Sequence, residues 1–113
     1  MIRFVLTTFP DTDAAERAVR LLVEKKLAAC GTILPDARSI YRWKGAVEEA
    51  SEAVVLFKTT ETTYPDLERH LREIHPYENP EIAAFAAADI SKAYADWVMD
   101  SVAPSNASAS PAR

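Results

Sequence analysis

Ile2, Phe4 and Leu6 alternate with Arg3, Val5 and Thr7, and a period of two in β-favouring residues predicts a strand over Ile2 to Thr8. Pro10-Asp11-Thr12-Asp13 ends it and supplies helix-start chemistry, with Asp13 and Glu16 placed to suit the dipole. Ala15, Ala18, Val19 and Leu22 then recur at i, i+3, i+4 and i+7, opposite Arg17, Arg20 and Glu24. That spacing predicts an amphipathic helix running to about Lys26.

Ala28 to Leu34 is short and apolar and reads as a second strand closed by Pro35, which has no N–H to give to a ladder. Ser39 to Trp43 alternates again before Lys44-Gly45, a two-residue turn that reverses the chain into Ala46-Val47-Glu48 and predicts a hairpin. The returning strand continues through Ala53 to Phe57 and is apolar on both sides, since Val54 and Leu56 alternate with Val55 and Phe57. The threonines of 59–63 offer capping hydroxyls, Pro65 suits a first helical turn, and Leu67, Leu71 and Ile74 mark the stripe of a second helix that Pro76 stops. Ile82 to Ala87 fits either element by period, and its shortness favours a strand. Ser91 caps a last helix whose Tyr94, Trp97 and Val98 share a face.

The order strand, helix, hairpin, helix, strand, helix predicts an α+β fold, the ferredoxin-like βαββαβ arrangement plus a C-terminal helix. Right-handed crossovers put both main helices on one face of the sheet. The second face then has no cover from this chain, although the central strand offers it apolar side chains. Each buried Val or Phe is worth about 1.5–3 kcal/mol, so the pattern predicts a homo-oligomer. In it the hairpin carries Tyr41 and Trp43 onto a neighbour, unless the two are only cross-strand partners within the hairpin.

The chain has 113 residues, 49% hydrophobic and 27% charged, which suits one soluble domain, assigned to residues 1–102. The low-complexity 103–113 is expected to be a disordered tail. A net charge of −4 argues against nucleic acid as a partner. No apolar run approaches the roughly 20 residues of a membrane span, and the first residues lack a secretory pattern. With Cys30 as the single cysteine, no internal disulfide is possible, and the expected location is the cytoplasm.

His75 at a helix end stands in sequence beside Glu78 and Glu81, and imidazole with carboxylates suits one divalent ion. The alternative is a histidine placed there for the helix dipole and a free carbonyl. His70 is expected to face solvent. Pro76 and Pro80 stiffen the chain about Tyr77, which suits a cleft or a subunit contact equally. Lys58 is expected to pair with Glu81 or to hold an anionic ligand. Cys30 reads as a small buried residue with an inert thiol, and Glu48, Glu49 and Glu52 as a solvated acidic strand face. No metal is expected to be needed for folding.

Several segments in order give a specific resemblance over about residues 4–100. They are Leu27-Ala28-Ala29-Cys30, Ser39 to Gly45, Lys58-Thr59-Thr60, His75-Pro76-Tyr77-Glu78-Asn79-Pro80-Glu81-Ile82, and Tyr94 with Trp97. The chain resembles the CutA family of divalent-cation tolerance proteins. The resemblance implies a homotrimer similar to nitrogen-regulatory PII trimers, with clefts between subunits, a cytoplasmic location, a link to copper and other divalent metals, and no catalytic activity. Family members often carry a cysteine where this chain has Thr7, Thr8 and Phe9, so that thiolate is missing from the ligand set. Thr32 stands where Asn is usual and Ala86 where proline commonly ends the last strand, and neither change threatens the fold. The competing function is a signalling or scaffold trimer that takes a small metabolite or a protein partner in those clefts. A phosphate-binding enzyme of this fold is set aside because Gly31 and Gly45 are the only glycines, and an RNA-recognition module because the central strands are aliphatic and the chain acidic.

Overall fold

A computed structural model of the chain describes residues 1–103. Its elements run β1 (Ile2–Phe9), α1 (Thr12–Glu24), β2 (Cys30–Trp43), β3 (Ala46–Thr60), α2 (Tyr64–Ile74), β4 (Ala83–Ala86) and α3 (Lys92–Ser101). The four strands form one sheet in the order β2-β3-β1-β4, every neighbouring pair antiparallel. This is the expected ferredoxin-like order, with α3 added.

Odd-numbered residues of the two central strands face the helices. Val5 and Phe9 of β1 and Ala53, Val55 and Phe57 of β3 are buried with Ala15, Ala18 and Leu22 of α1 and Leu67 and Leu71 of α2. Asp11 begins α1 as expected, its Oδ1 accepting from the Ala14 N–H at 2.8 Å. The close seat of α1 on β2 depends on Gly31, where a Cβ would stand 2.9 Å from Val19 Cγ1 and 3.1 Å from Phe57 Cδ1. Positive φ at both Lys44 and Gly45 makes the hairpin turn of the type whose twist matches two paired strands.

Four expectations change. Pro35 does not close a strand: β2 runs on to Trp43, and the proline falls in a register shift between Leu34 and Ala37, where Asp36 adopts φ 57°. A bulge on an edge strand needs no N–H at that position, so the ladder resumes beyond it. The strand also begins at Cys30 rather than Ala28. Thr63, the N-cap of α2, makes no side-chain cap bond. Its N–H donates to Thr60 Oγ1 at 3.2 Å and its hydroxyl to the Ala103 carbonyl at 2.9 Å.

The second sheet face, expected bare, is covered at one end. Helix α3 lies there with Val98 fully buried beside Ile2, Ala29 and Phe4. Ala103 extends this closure by donating its N–H to the Lys26 carbonyl at 2.7 Å, so the first residue of the expected tail is tied down. Residues 104–113, the rest of that tail, lie outside the described residues. No helix among the described residues is long and apolar enough to cross a membrane.

The paired stretches of β2 and β3 beyond the bulge form an arm that outruns the body. The molecule measures 52 × 31 × 24 Å with a radius of gyration of 15.2 Å, against about 13 Å for a compact domain near 100 residues. Ile40 is 64% exposed, Val47 67% and Trp43 55%. Register puts Tyr41 opposite Glu48 and Trp43 opposite Ala46 on one side of the arm, and Ile40 opposite Glu49 and Arg42 opposite Val47 on the other.

Candidate functional site

Strand β4 pairs with only Arg3 to Leu6 of β1, which leaves the edge of Thr7 to Phe9 to the loop that follows α2. Pro76 forces the preceding residue out of helical geometry, and His75 accordingly has φ −71° and ψ 134°. Its buried ring stacks on Phe9 with centroids 4.4 Å apart and planes within 16°.

Both ring nitrogens are engaged. The Tyr77 N–H donates to His75 Nδ1 at 3.1 Å, so in the neutral ring the proton sits on Nε2. Nε2–H in turn donates to the Thr8 carbonyl at 2.8 Å, with the Thr7 hydroxyl 3.2 Å away. Burial lowers the His75 pKa, outweighing the Thr8 carbonyl and the Glu52 charge that favour the cation. The ring therefore fastens the post-helix loop to β1 as a neutral group. The cationic dipole partner considered from the sequence is replaced by this role, because the carbonyl reached belongs to β1 and not to the helix.

Tyr77 continues the network across the sheet edge. Its hydroxyl donates to Glu52 Oε2 at 2.6 Å, and the Thr8 hydroxyl donates to the same oxygen at 3.2 Å. Burial by itself would raise the Glu52 pKa, but the hydroxyls of Ser39, Tyr77 and Thr8 and the nearness of His75 together lower it. Burial and Glu52 in turn push the Tyr77 pKa well up, so the phenol stays a donor. Glu52 is therefore a structural anchor, not a member of a solvated acidic face. Sequence offered no signal for it, since its partners lie 25 and 44 positions away. Glu48 and Glu49 are exposed as expected, with Glu49 Oε1 3.3 Å from Arg38.

The structure does not gather His75, Glu78 and Glu81 around one point. Both glutamates are exposed in the loop, and among the described residues no three or more His, Cys, Asp or Glu stand where they could share a metal ion. His70 is half-buried, its Nδ1 3.0 Å from the Asp66 carbonyl oxygen.

A second cluster lies on the sheet face away from α1 and α2. Register aligns Cys30, Lys58, Phe4 and Phe85 in one row across four strands. Lys58 is only 8% exposed; its Nζ donates to Thr32 Oγ1 and lies 5.9 Å from the Phe4 ring centre. The expected Lys58–Glu81 pair is absent: Lys58 makes no ion pair among the described residues, and Glu81 stays exposed. Cys30 is half-buried rather than enclosed, its Sγ 3.9 Å from the Tyr94 hydroxyl. Beyond this row, Leu6, Leu56 and Val54 are half-buried and Leu34 is exposed, an apolar strip that leads onto the arm.

Comparison with known proteins agrees with this architecture. Residues 3–101 match the family model of the CutA1 divalent ion tolerance protein. The divalent-cation tolerance protein CutA of Thermus thermophilus is 41% identical over 100 residues, covering 88% of this chain and 97% of that protein. Mouse protein CutA is 40% identical over 91 residues, covering 80% of this chain and 51% of its own length, so the chain spans about half of that relative. A solved structure from Archaeoglobus fulgidus, described as a periplasmic divalent cation tolerance protein CutA, superimposes with a TM-score of 0.87 at 33% identity, covering 91% of this chain and 100% of that one. The family match over residues 3–101 and the superposition agree, and the chain belongs to the CutA1 divalent ion tolerance family.

Proposed function

We propose that the chain acts as a cytoplasmic homotrimer that contributes to divalent-metal tolerance by binding metal, copper or zinc, without catalysing a reaction. The observation that carries the reading is the apolar strip running from Leu6 and Leu56 through Leu34 to Tyr41 and Trp43 on one side of the sheet and arm. A two-stranded arm is marginal in water by itself. Copies of the chain that cover this strip would stabilise the arm and bury side chains worth about 1.5–3 kcal/mol each. The trimer count and the metal link follow the resemblance to CutA proteins.

The metal's ligands are drawn from more than one copy, with exposed Glu78 and Glu81 supplying carboxylates from a loop that Pro76 and Pro80 stiffen. To join them through Nδ1, His75 would have to give up the Tyr77 N–H while Nε2–H keeps the Thr8 carbonyl. Calorimetric titration of the assembled protein with Cu²⁺ and Zn²⁺ tests this. Saturable heat that weakens at least tenfold in the Glu78→Gln/Glu81→Gln double variant supports it, and unchanged isotherms remove these carboxylates from the site.

A second reading, a scaffold or signalling trimer, is favoured by the other side of the arm. Ile40 and Val47 face away from Tyr41 and Trp43, so a copy seated on one side leaves the other open to a partner protein. Pull-down with the wild type against Ile40→Ser/Val47→Ser discriminates it.

A further inference from the structure

We propose that Lys58 anchors a binding site for a small oxyanion, a carboxylate or phosphate group on a molecule with an apolar body, on the sheet face away from α1 and α2. An ammonium has three N–H donors and no acceptor. Here one donor goes to Thr32 Oγ1, and the other contact is the face of Phe4. Every ion pair among the described residues uses another cation, and those cations are more exposed than Lys58. Removing an ion from water carries a penalty, which one hydroxyl and one ring face offset only in part. The fold thus holds a desolvated cation with donors left over.

The surroundings repeat the same bias. Thr32 accepts from Lys58, which frees its own O–H to donate outward. Tyr94 and Cys30 add a hydroxyl and a thiol, and Cys30 is the direct cross-strand partner of Lys58. Burial, and then the Cys30 thiol, raise the Tyr94 pKa, so that hydroxyl keeps its proton and remains a donor. Phe4, Leu6 and Leu56 flank the group with apolar surface on the same face. Polar donors beside one buried cation on an apolar floor are the recognition chemistry of a small organic anion. Leu6 and Leu56 also belong to the strip that further copies are proposed to cover, but the proposed metal ligands Glu78 and Glu81 lie outside this cluster, so anion binding and metal binding can fail independently.

The test is calorimetric titration of the full chain with two probes, sodium phosphate and sodium succinate, at ionic strength held constant with sodium chloride. The expected result is saturable binding of at least one probe, weakened tenfold or more in Lys58→Met and partly kept in Lys58→Arg. Thermal melts without either probe give a second readout. Lys58→Met should be as stable as the wild type or more so, since it deletes an unpaired buried charge. Two results would overturn the proposal. One is no saturable binding of either probe, or binding that Lys58→Met leaves intact. The other is a Lys58→Met protein that dissociates or melts earlier, which would assign the ammonium to a carboxylate of a neighbouring copy.

Discussion

Tyr77→Phe removes one oxygen and keeps the ring, which lies 5.1 Å from the His75 ring, centre to centre. What is lost is the 2.6 Å bond to Glu52 Oε2. A hydrogen bond to a charged group is worth about 1.5–3 kcal/mol. Glu52 is half-buried and keeps the Thr8 hydroxyl, so solvent screening and the remaining donor bring the expected loss to about 1–1.5 kcal/mol. With unfolding entropy near 2.1 cal/mol/K per residue, that lowers the melting temperature by about 4–6 °C. Because the proposed assembly would make stability concentration-dependent, wild type and variant are compared at one subunit concentration.

The pH dependence separates this explanation from simple packing. The Glu52 pKa is lowered in the fold, so its contribution is present above the ordinary value of 4.5 and disappears as pH falls below that value and through the lowered one. The gap between wild type and Tyr77→Phe should therefore be full at pH 7 and smaller at pH 3, below the ordinary carboxylate value. A gap of equal size at both pH values would refute the reasoning and place the loss in ring packing.

Other outcomes follow from single positions. The lowered His75 pKa means that the unfolded imidazole takes a proton before the folded one, so wild-type stability begins to fall below pH about 6.5, and His75→Gln should flatten that limb in urea titrations run at several pH values. Gly31→Ala should cost about 1–3 kcal/mol in chemical denaturation, because the added methyl meets Val19 and Phe57 from a rigid strand. Asp11→Ala removes the cap of α1 and should cost about 1 kcal/mol by the same measurement. Lys26→Gly should raise stability by about 0.5–1 kcal/mol, because Lys26 holds φ 60° just past the end of α1.

The strands and helices were legible because their burial is one-sided and leaves a period in the sequence: Val5 with Val55 and Phe57, or Ala15 with Ala18 and Leu22. Ser91 and Lys44-Gly45 were legible because caps and turns are local chemistry. Pro35 misled because the bulge that accommodates it depends on which strand lies at the sheet edge, a fact of topology. Val98 gave its helix a buried side, but nothing local said that this side would close one end of the second sheet face. The anchor Glu52–Tyr77–His75 was hidden for the same reason: a glutamate in an acidic run looks solvated until the post-helix loop is seen to cross the β1 edge. The sequence brings Lys58 near the post-helix loop, yet its burial without a carboxylate arises from Phe4, Cys30 and Thr32 on two other strands.

Further copies of the chain are expected to cover the apolar strip and the arm. Sedimentation velocity across a hundredfold range of concentration, down to about 1 μM, measures this directly. A single species of three times the 12.5 kDa chain mass is predicted, with Leu56→Asp shifting it toward smaller species. A wild-type protein that sediments as a folded monomer throughout that range would contradict the account.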